Sequence, residues 1–372
     1  MNNVGIINFH YSDHNYGAVL QAVALQHLVE KIGLHAEHID YVPIPSKVSL
    51  CASIKSFAID LVKSIDTTGV IVNTPKVFNK DIFESFRKQY MNRSSDIYRK
   101  PDDLIKIGNK YSHVIVGSDQ VWRPSYTVEN RDVYFLNFCS SETKRISYAA
   151  SFGVDYWELK HNPAETQKVA EEIGKFHAIS VRESSGVQIC DEIFDIYADH
   201  VLDPTLAIGR DFFDEIADEA KNLSTTMDNI VYYKLDPDNK FLDFLNYLES
   251  SLNTESENIY RKKIGKKYFY NEVSEWLAKI RNSKLVVTDS FHCICFAILF
   301  EKEFFYVPNN SRGVTRLESL LSSLGLSNRI AKNNLKDFFI ECYQNKIDYN
   351  KVNDILKNKR ETSISFLYNS LQ

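Results

Sequence analysis

"VGIINFHYSDHNYGAVLQAVALQHLVEKIGLHAEHIDYV", residues 4–42, decides the fold class. It opens on the short apolar run VGIINF, and the polar, turn-forming HYSDHNYG follows. In the next stretch Val19, Leu20, Val23, Ala24, Leu28 and Ile32 recur on one helical face, and Gly33 supplies a stop. AEHIDYV then reads as a strand. The unit is strand–loop–helix–strand, a connection that is right-handed in a parallel sheet.

Further strands are expected at HVIVG (113–117), RISYAA (145–150), AISVR (178–182) and DHVLD (199–203), with helical patterns between several of them. The alternation predicts a mostly parallel sheet covered by helices. Residues 46–100 are less regular and read as a helical and loop insertion. The polar stretch 209–229 ends in LSTTMDN and IVYYKL begins a new strand, which places a boundary near 215–229. A second α/β unit then runs helix 240–252, a strand near 258–264, helix 271–282, strand 284–288, helix 292–300, strand 303–307 and helix 315–324. The expected organisation is an N-terminal Rossmann-like domain over 1–220 and a second over 221–335. Helices at 336–372 are expected to pack back on the first domain, led by the amphipathic VNDILKNKRETSISFLYNSL. Two such domains place their strand ends around one cleft, and ligands of open α/β sheets bind at that edge.

The composition narrows the function. A chain of 372 residues is comfortable for two cores. Its net charge of −5 gives no support to a nucleic-acid surface. No basic-then-apolar leader and no run of about 18 apolar residues is present, so a cytoplasmic protein with free, buried thiols is expected. Of the six cysteines only Cys293 and Cys295 are close, a poor metal or disulfide signal. His10 and His14, like His35 and His38, lack ligand spacing to a Cys or carboxylate cluster, so no metal site is expected.

Four loops after strands carry candidate chemistry. In HYSDHNYGA, Ser12, Asp13 and Asn15 suit helix capping and Gly17 allows close backbone approach. The loop is not a G-x-G-x-x-G turn, which removes support for dinucleotide chemistry. In VGSDQVWRP, Asp119 and Gln120 suit sugar hydroxyls and Trp122 a sugar's C–H face; a turn with a core Trp is the plainer reading. Arg182, in ISVRESSG, suits carboxylate or phosphate, and reads equally as a structural ion pair with Glu183 or a neighbouring acid. In VTDSFHCICFAI (287–298), Ser290 caps a helix whose first N–H groups favour an anion, with His292 in the first turn. Arg312 and Arg316 follow in NSRGVTR.

Together these stretches make the chain resemble the polysaccharide pyruvyl transferase family, through NYGAVLQAVALQ, VIVGSDQVW, ISYAASFGV, ISVRESSGV, VLDPT, VTDSFHCICFAILF and RLESLLSSLGL in that order. The resemblance implies two Rossmann-like domains arranged as in GT-B glycosyltransferases. It also implies phosphoenolpyruvate as co-substrate with no other cofactor, and two hydroxyls of a glycan or lipid-linked sugar as acceptor. The product would be a pyruvate ketal in bacterial surface polysaccharide (capsule or exopolysaccharide) biosynthesis, with peripheral membrane association through the acceptor.

Carried over by position, the donor side is Arg182, His292 and Arg312; the reading of the loops adds Ser290 and Arg316 to it and makes His292 and Asp119 the catalytic candidates. The acceptor side read from the loops is Asn15, Tyr16, Asp119, Gln120 and Trp122. One departure stands out: better-studied members have Arg-Leu-His where this chain has Ser290-Phe291-His292, so either the missing arginine's duty falls to Arg312 or Arg316, or the donor differs. The alternatives are a GT-B glycosyltransferase using a nucleotide sugar, with Glu318 as a ribose ligand, and a non-catalytic glycan-binding relative.

Overall fold

A computed structural model describes residues 3–44, 77–221, 228–235, 237–308, 314–332 and 334–372. Residues 46–76 of the expected insertion, Cys51 and Arg312 lie outside them.

The first sheet has six strands: β1 (Asn3–Ile7), β2 (His35–His38), β3 (His113–Asp119), β4 (Lys144–Ala150), β5 (Ala178–Val181) and β6 (Asp199–His200). They pair all parallel in the order β2-β1-β3-β4-β5-β6. Every residue of β3 is buried, as expected for a strand covered on both faces. The second sheet is β7 (Ile230–Tyr233), β8 (Ser256–Asn258), β11 (Leu285–Thr288) and β12 (Glu303–Tyr306), also parallel, in the order β12-β11-β7-β8. Between β8 and β11 lies an antiparallel hairpin of β9 (Arg261–Ile264) and β10 (Lys267–Tyr270). The single strand expected near 258–264 is therefore corrected to two short pieces. β8 ends at Asn258, Ile259 is buried, and the chain turns into a separate ribbon.

Helix α1 (Tyr16–Lys31) follows β1, and Gly33, at φ 91°, ends it in the left-handed conformation glycine adopts without strain. The one-faced helix read from its spacing is also corrected, because thirteen of its residues are buried, Gln21 and Gln26 included. The cause is that α1 lies between the units. One core runs without a break from Val4, Ile6 and Ile115 of the first sheet, through α1, to Val286 and Phe296 of the second unit.

Tyr16 joins the two. Its ring stacks on Trp276 (centroids 4.9 Å, 6° between planes) and its hydroxyl donates to the Asn271 carbonyl at 2.8 Å. The last helix, α9 (Tyr349–Ser370), starts on the second unit, where Asn353 Nδ2 donates to Glu301 Oε1 at 2.8 Å, and ends on the first: Arg360 Nε donates to the Leu206 carbonyl at 2.7 Å, and Ser363 Oγ accepts from Leu202 N at 2.9 Å. The helix Leu335–Gln344 packs through Phe338 and Phe339 into the core of the second sheet, which corrects the expectation that all of 336–372 packs on the first domain. Among the described residues no helix is long and apolar enough to cross a membrane.

Candidate functional site

The carboxyl ends of β1, β3, β7, β11 and β12 border a cleft of about 710 Å³. From the first unit come Tyr11, Asp13, Asn15, Asp119, Gln120 and Tyr126. The second unit contributes Tyr233, Asp289, Ser290, Phe291, His292 and Arg316.

On the second-unit side, β11 ends at Thr288 and α7 (Phe291–Leu299) begins after Ser290. The Thr288 hydroxyl accepts from Ser290 N at 3.0 Å, and the Ser290 side chain accepts from Cys293 N at 3.4 Å. That cap satisfies one N–H of the first turn and leaves its positive end directed at the cleft. Asp289 is matched by Lys234 at 3.2 Å.

His292 stands in that first turn with 6% of its surface exposed. On one side lies Gly17, so close that a Cβ there would be 2.1 Å from His292 Nδ1. On the other side Nε2 is 3.6 Å from Asp203 Oδ2. Asp203 caps α4 (Pro204–Ile208) and is fully buried. Its Oδ1 accepts from Thr205 N (3.0 Å) and Oγ1 (2.6 Å), its Oδ2 from Ser118 Oγ and Arg182 Nη1, each at 2.8 Å. Burial opposes its ionisation, but His292, Arg182 and the Thr205 hydroxyl hold its carboxyl far below the usual carboxylate range. Asp203 was not singled out as a site residue, although an Asp directly before Pro at a helix start, in VLDPT, is a capping signature.

Several expected ligands are placed differently. Arg182 has a side chain only 1% exposed and lies behind the cleft wall, not in the cleft. It bonds Asp203 and approaches Asp119 (3.5 Å) and Glu183 (4.0 Å), while the Phe291 ring covers its guanidinium at 4.1 Å. Thus the ion-pair reading of Arg182 holds, with Asp203 rather than Glu183 as main partner. Trp122 is corrected to a core residue: fully buried, it stacks on Phe135 at 5.4 Å and donates Nε1–H to the Tyr134 carbonyl at 3.1 Å. Tyr16 is likewise buried between the units rather than offered to an acceptor. Both rings were drawn inward because aromatic area stabilises most where water is excluded.

Asn15, Asp119, Gln120, Ser290, His292 and Arg316 do meet at the cleft. Asn15 spends its side-chain oxygen on Ala18 N at 3.2 Å. Asp119 is held at φ 66°, a left-handed conformation uncommon outside glycine, and caps Gln120 N at 2.9 Å. Arg316, at the start of α8 (Thr315–Ser323), faces the cleft beside the Arg182–Asp119–Glu183 group. Glu318 is exposed on α8 and does not border the cleft. A surface ring that the sequence reading passed over is Tyr126, which is 54% exposed at the cleft under the Arg123 guanidinium (4.6 Å).

His10 is paired with Asp40 at 3.0 Å rather than with His14. Among the described residues no group of three His, Cys, Asp or Glu side chains could hold a metal ion.

Two parallel α/β units facing a cleft across their strand ends define a GT-B-like protein, and solved structures agree on the fold. The Neisseria meningitidis UDP-GlcNAc 2-epimerase bound to UDP-GlcNAc aligns with TM-score 0.55 at 9% identity, over 99% of each chain. The S. aureus MnaA–UDP co-structure gives 0.53 at 10% identity, over 96% of this chain and 91% of that one. The glycotransferase of kitacinnamycin gives 0.50 at 10%, over 100% and 99%. Comparison with curated proteins gave no match. Residues 15–311 match the polysaccharide pyruvyl transferase family, and the chain belongs to that family of transferases.

Proposed function

We propose that the protein transfers the pyruvyl group of phosphoenolpyruvate onto two hydroxyls of one sugar, forming a cyclic ketal and releasing phosphate. The observation that carries this reading is that one cleft is lined by His292, in the first turn of the capped helix α7, and by Arg316 of α8. A proton donor beside fixed positive charge is what this donor's chemistry requires. C3 of the enol ether takes a proton and becomes the methyl group, and C2 becomes an oxocarbenium-like centre. One sugar hydroxyl adds to C2 and loses its proton, the C2–O bond to phosphate breaks, and the second hydroxyl closes the ring. Of the two hydroxyl protons, one balances the new methyl C–H and the other leaves with phosphate.

His292 is the acid/base group of this scheme. Arg316 and the first N–H groups of α7 offset the charge of the carboxylate and the leaving phosphate. Asp119 and Gln120 orient the sugar hydroxyls, and Tyr126 supplies the ring face that Trp122 was expected to offer. The acceptor is a glycan or lipid-linked sugar, and the family assignment supports a place in surface polysaccharide assembly.

The test is phosphate release from phosphoenolpyruvate across a panel of glycan acceptors, read together with a mass gain on the acceptor. No phosphate and no mass gain from folded protein on every acceptor would sink the proposal. Thermal stabilisation by UDP- or GDP-sugars without any effect of phosphoenolpyruvate would favour a nucleotide-sugar glycosyltransferase instead.

A further inference from the structure

His292 belongs to the second unit, yet the carboxylate behind it belongs to the first. We propose that Asp203 is the positioning residue of a dyad with His292, assembled across the junction of the two units. This rests on the reading of His292 as the proton-transfer group.

The argument begins with an asymmetry in hydrogen bonding. Asp203 is satisfied without His292, since Thr205, Ser118 and Arg182 supply four donors that fix both its oxygens. His292 is not satisfied without Asp203. Its Nε2 is buried and makes no hydrogen bond, and Asp203 Oδ2 lies 3.6 Å from it. A buried N–H without an acceptor costs about 1–3 kcal/mol, so a few tenths of an ångström of closure is favoured. Catalytic hydrogen bonds are often long before substrate binds and tighten in the complex.

A proton held on Nε2 by this carboxylate makes Nδ1 the lone-pair nitrogen, on the Gly17 side of the ring. The same negative charge stabilises the imidazolium when Nδ1 takes a proton from a sugar hydroxyl. The other charged groups packed around the pair are Arg182 at the end of β5, Asp119 at the end of β3, Glu183 before the next helix, and Arg316 on α8. Arg182 is committed to Asp203, so it holds the carboxylate in place rather than acting on the donor.

Histidine-labelled protein, followed by nitrogen NMR against pH, separates this role from a purely structural one, with His292→Gln assigning the resonance. Asp203→Asn keeps the size of the side chain and removes its charge. In it the Nε2–H tautomer of His292 should lose its dominance, read from the two ring-nitrogen resonances, and kcat should fall while KM changes little.

Ser118→Ala removes a donor that competes for Oδ2, so the His292 Nε2–H resonance should move further downfield as its approach to Asp203 shortens. This variant also keeps the test decisive if Asp203→Asn does not fold. Ring-nitrogen resonances of His292 that stay at their wild-type positions in whichever of these variants folds overturn the dyad. Shifted resonances in a protein that never turns over phosphoenolpyruvate, wild type included, would uphold the dyad and remove the pyruvyl transfer reading instead.

Discussion

Gly17 at the start of α1 and His292 at the start of α7 touch across the junction of the two units. A Cβ on residue 17 would lie 2.1 Å from Nδ1, 2.4 Å from Cγ and 2.7 Å from Cβ of the histidine. No real side chain tolerates such distances, so the glycine is the space the imidazole occupies.

Gly17→Ala should therefore act on turnover through a residue it never replaces. Either the imidazole rotates off its present position or α1 retreats from the second unit. The expected result is turnover lowered by about 100-fold, the scale of a misplaced acid or base, with stability reduced by about 1–3 kcal/mol from overpacking. Steady-state kinetics beside thermal melting read both. Full turnover in the alanine variant would mean the ring position is immaterial.

For His292→Ala, turnover should fall by about 100-fold to 10,000-fold, while donor binding changes much less because Arg316 remains. A core histidine satisfied by its neighbours predicts the opposite: early melting with normal turnover per folded molecule. Circular dichroism of the same preparations decides between them.

Arg182 and Arg316 should separate cleanly. Arg182→Ala takes from the fully buried Asp203 the guanidinium bonded to it at 2.8 Å, and removing one partner of a buried ion pair costs about 3–5 kcal/mol. Its main phenotype is a lower melting temperature. Arg316→Ala removes a cation at the cleft, so KM for phosphoenolpyruvate should rise about 10- to 100-fold, the equivalent of one charge-assisted contact. Melting should fall less than in Arg182→Ala, which also loses the bond to Asp203. Reversed phenotypes would return Arg182 to donor binding.

Trp122→Ala should cost about 3–5 kcal/mol as a core truncation. Tyr126→Ala, four residues on, should leave melting unchanged and weaken acceptor binding, read as a higher acceptor KM. An unaltered acceptor KM would place the sugar elsewhere in the cleft.

His38 is fully buried, and burial first, with His10 second, pushes its pKa down to about 3. The unfolded imidazole takes its proton near 6.5 and the folded one does not. The stability of the neutral buried form is present above that pH and is lost as pH falls towards 3, by about 1.4 kcal/mol per pH unit at the steepest. Chemical denaturation between pH 7 and 5 should show this slope, and His38→Gln should flatten it. An identical slope in the variant would assign the loss to other groups.

The sequence by itself carried the alternation of strands and helices and the family. These depend on periods and motifs along one stretch of chain, and local geometry enforces them. The helix starts at Asn15 and Ser290 were legible for the same reason: each side chain accepts from a backbone N–H three residues on.

Periodicity failed where a residue's second neighbour comes from far away. The spacing of α1 showed one apolar face because its other side meets Trp276 and Phe296, more than two hundred residues later. Tyr16 and Trp122 looked like ligands because a ring that packs and a ring that binds are the same residue type. Arg182 looked like a donor clamp until Asp203 and Phe291 closed around it. The contact of Gly17 with His292 and the approach of Asp203 to its other nitrogen are decided only by the docking of one unit on the other. Burial and charge pairing are properties of that docking, and no window of sequence contains both partners.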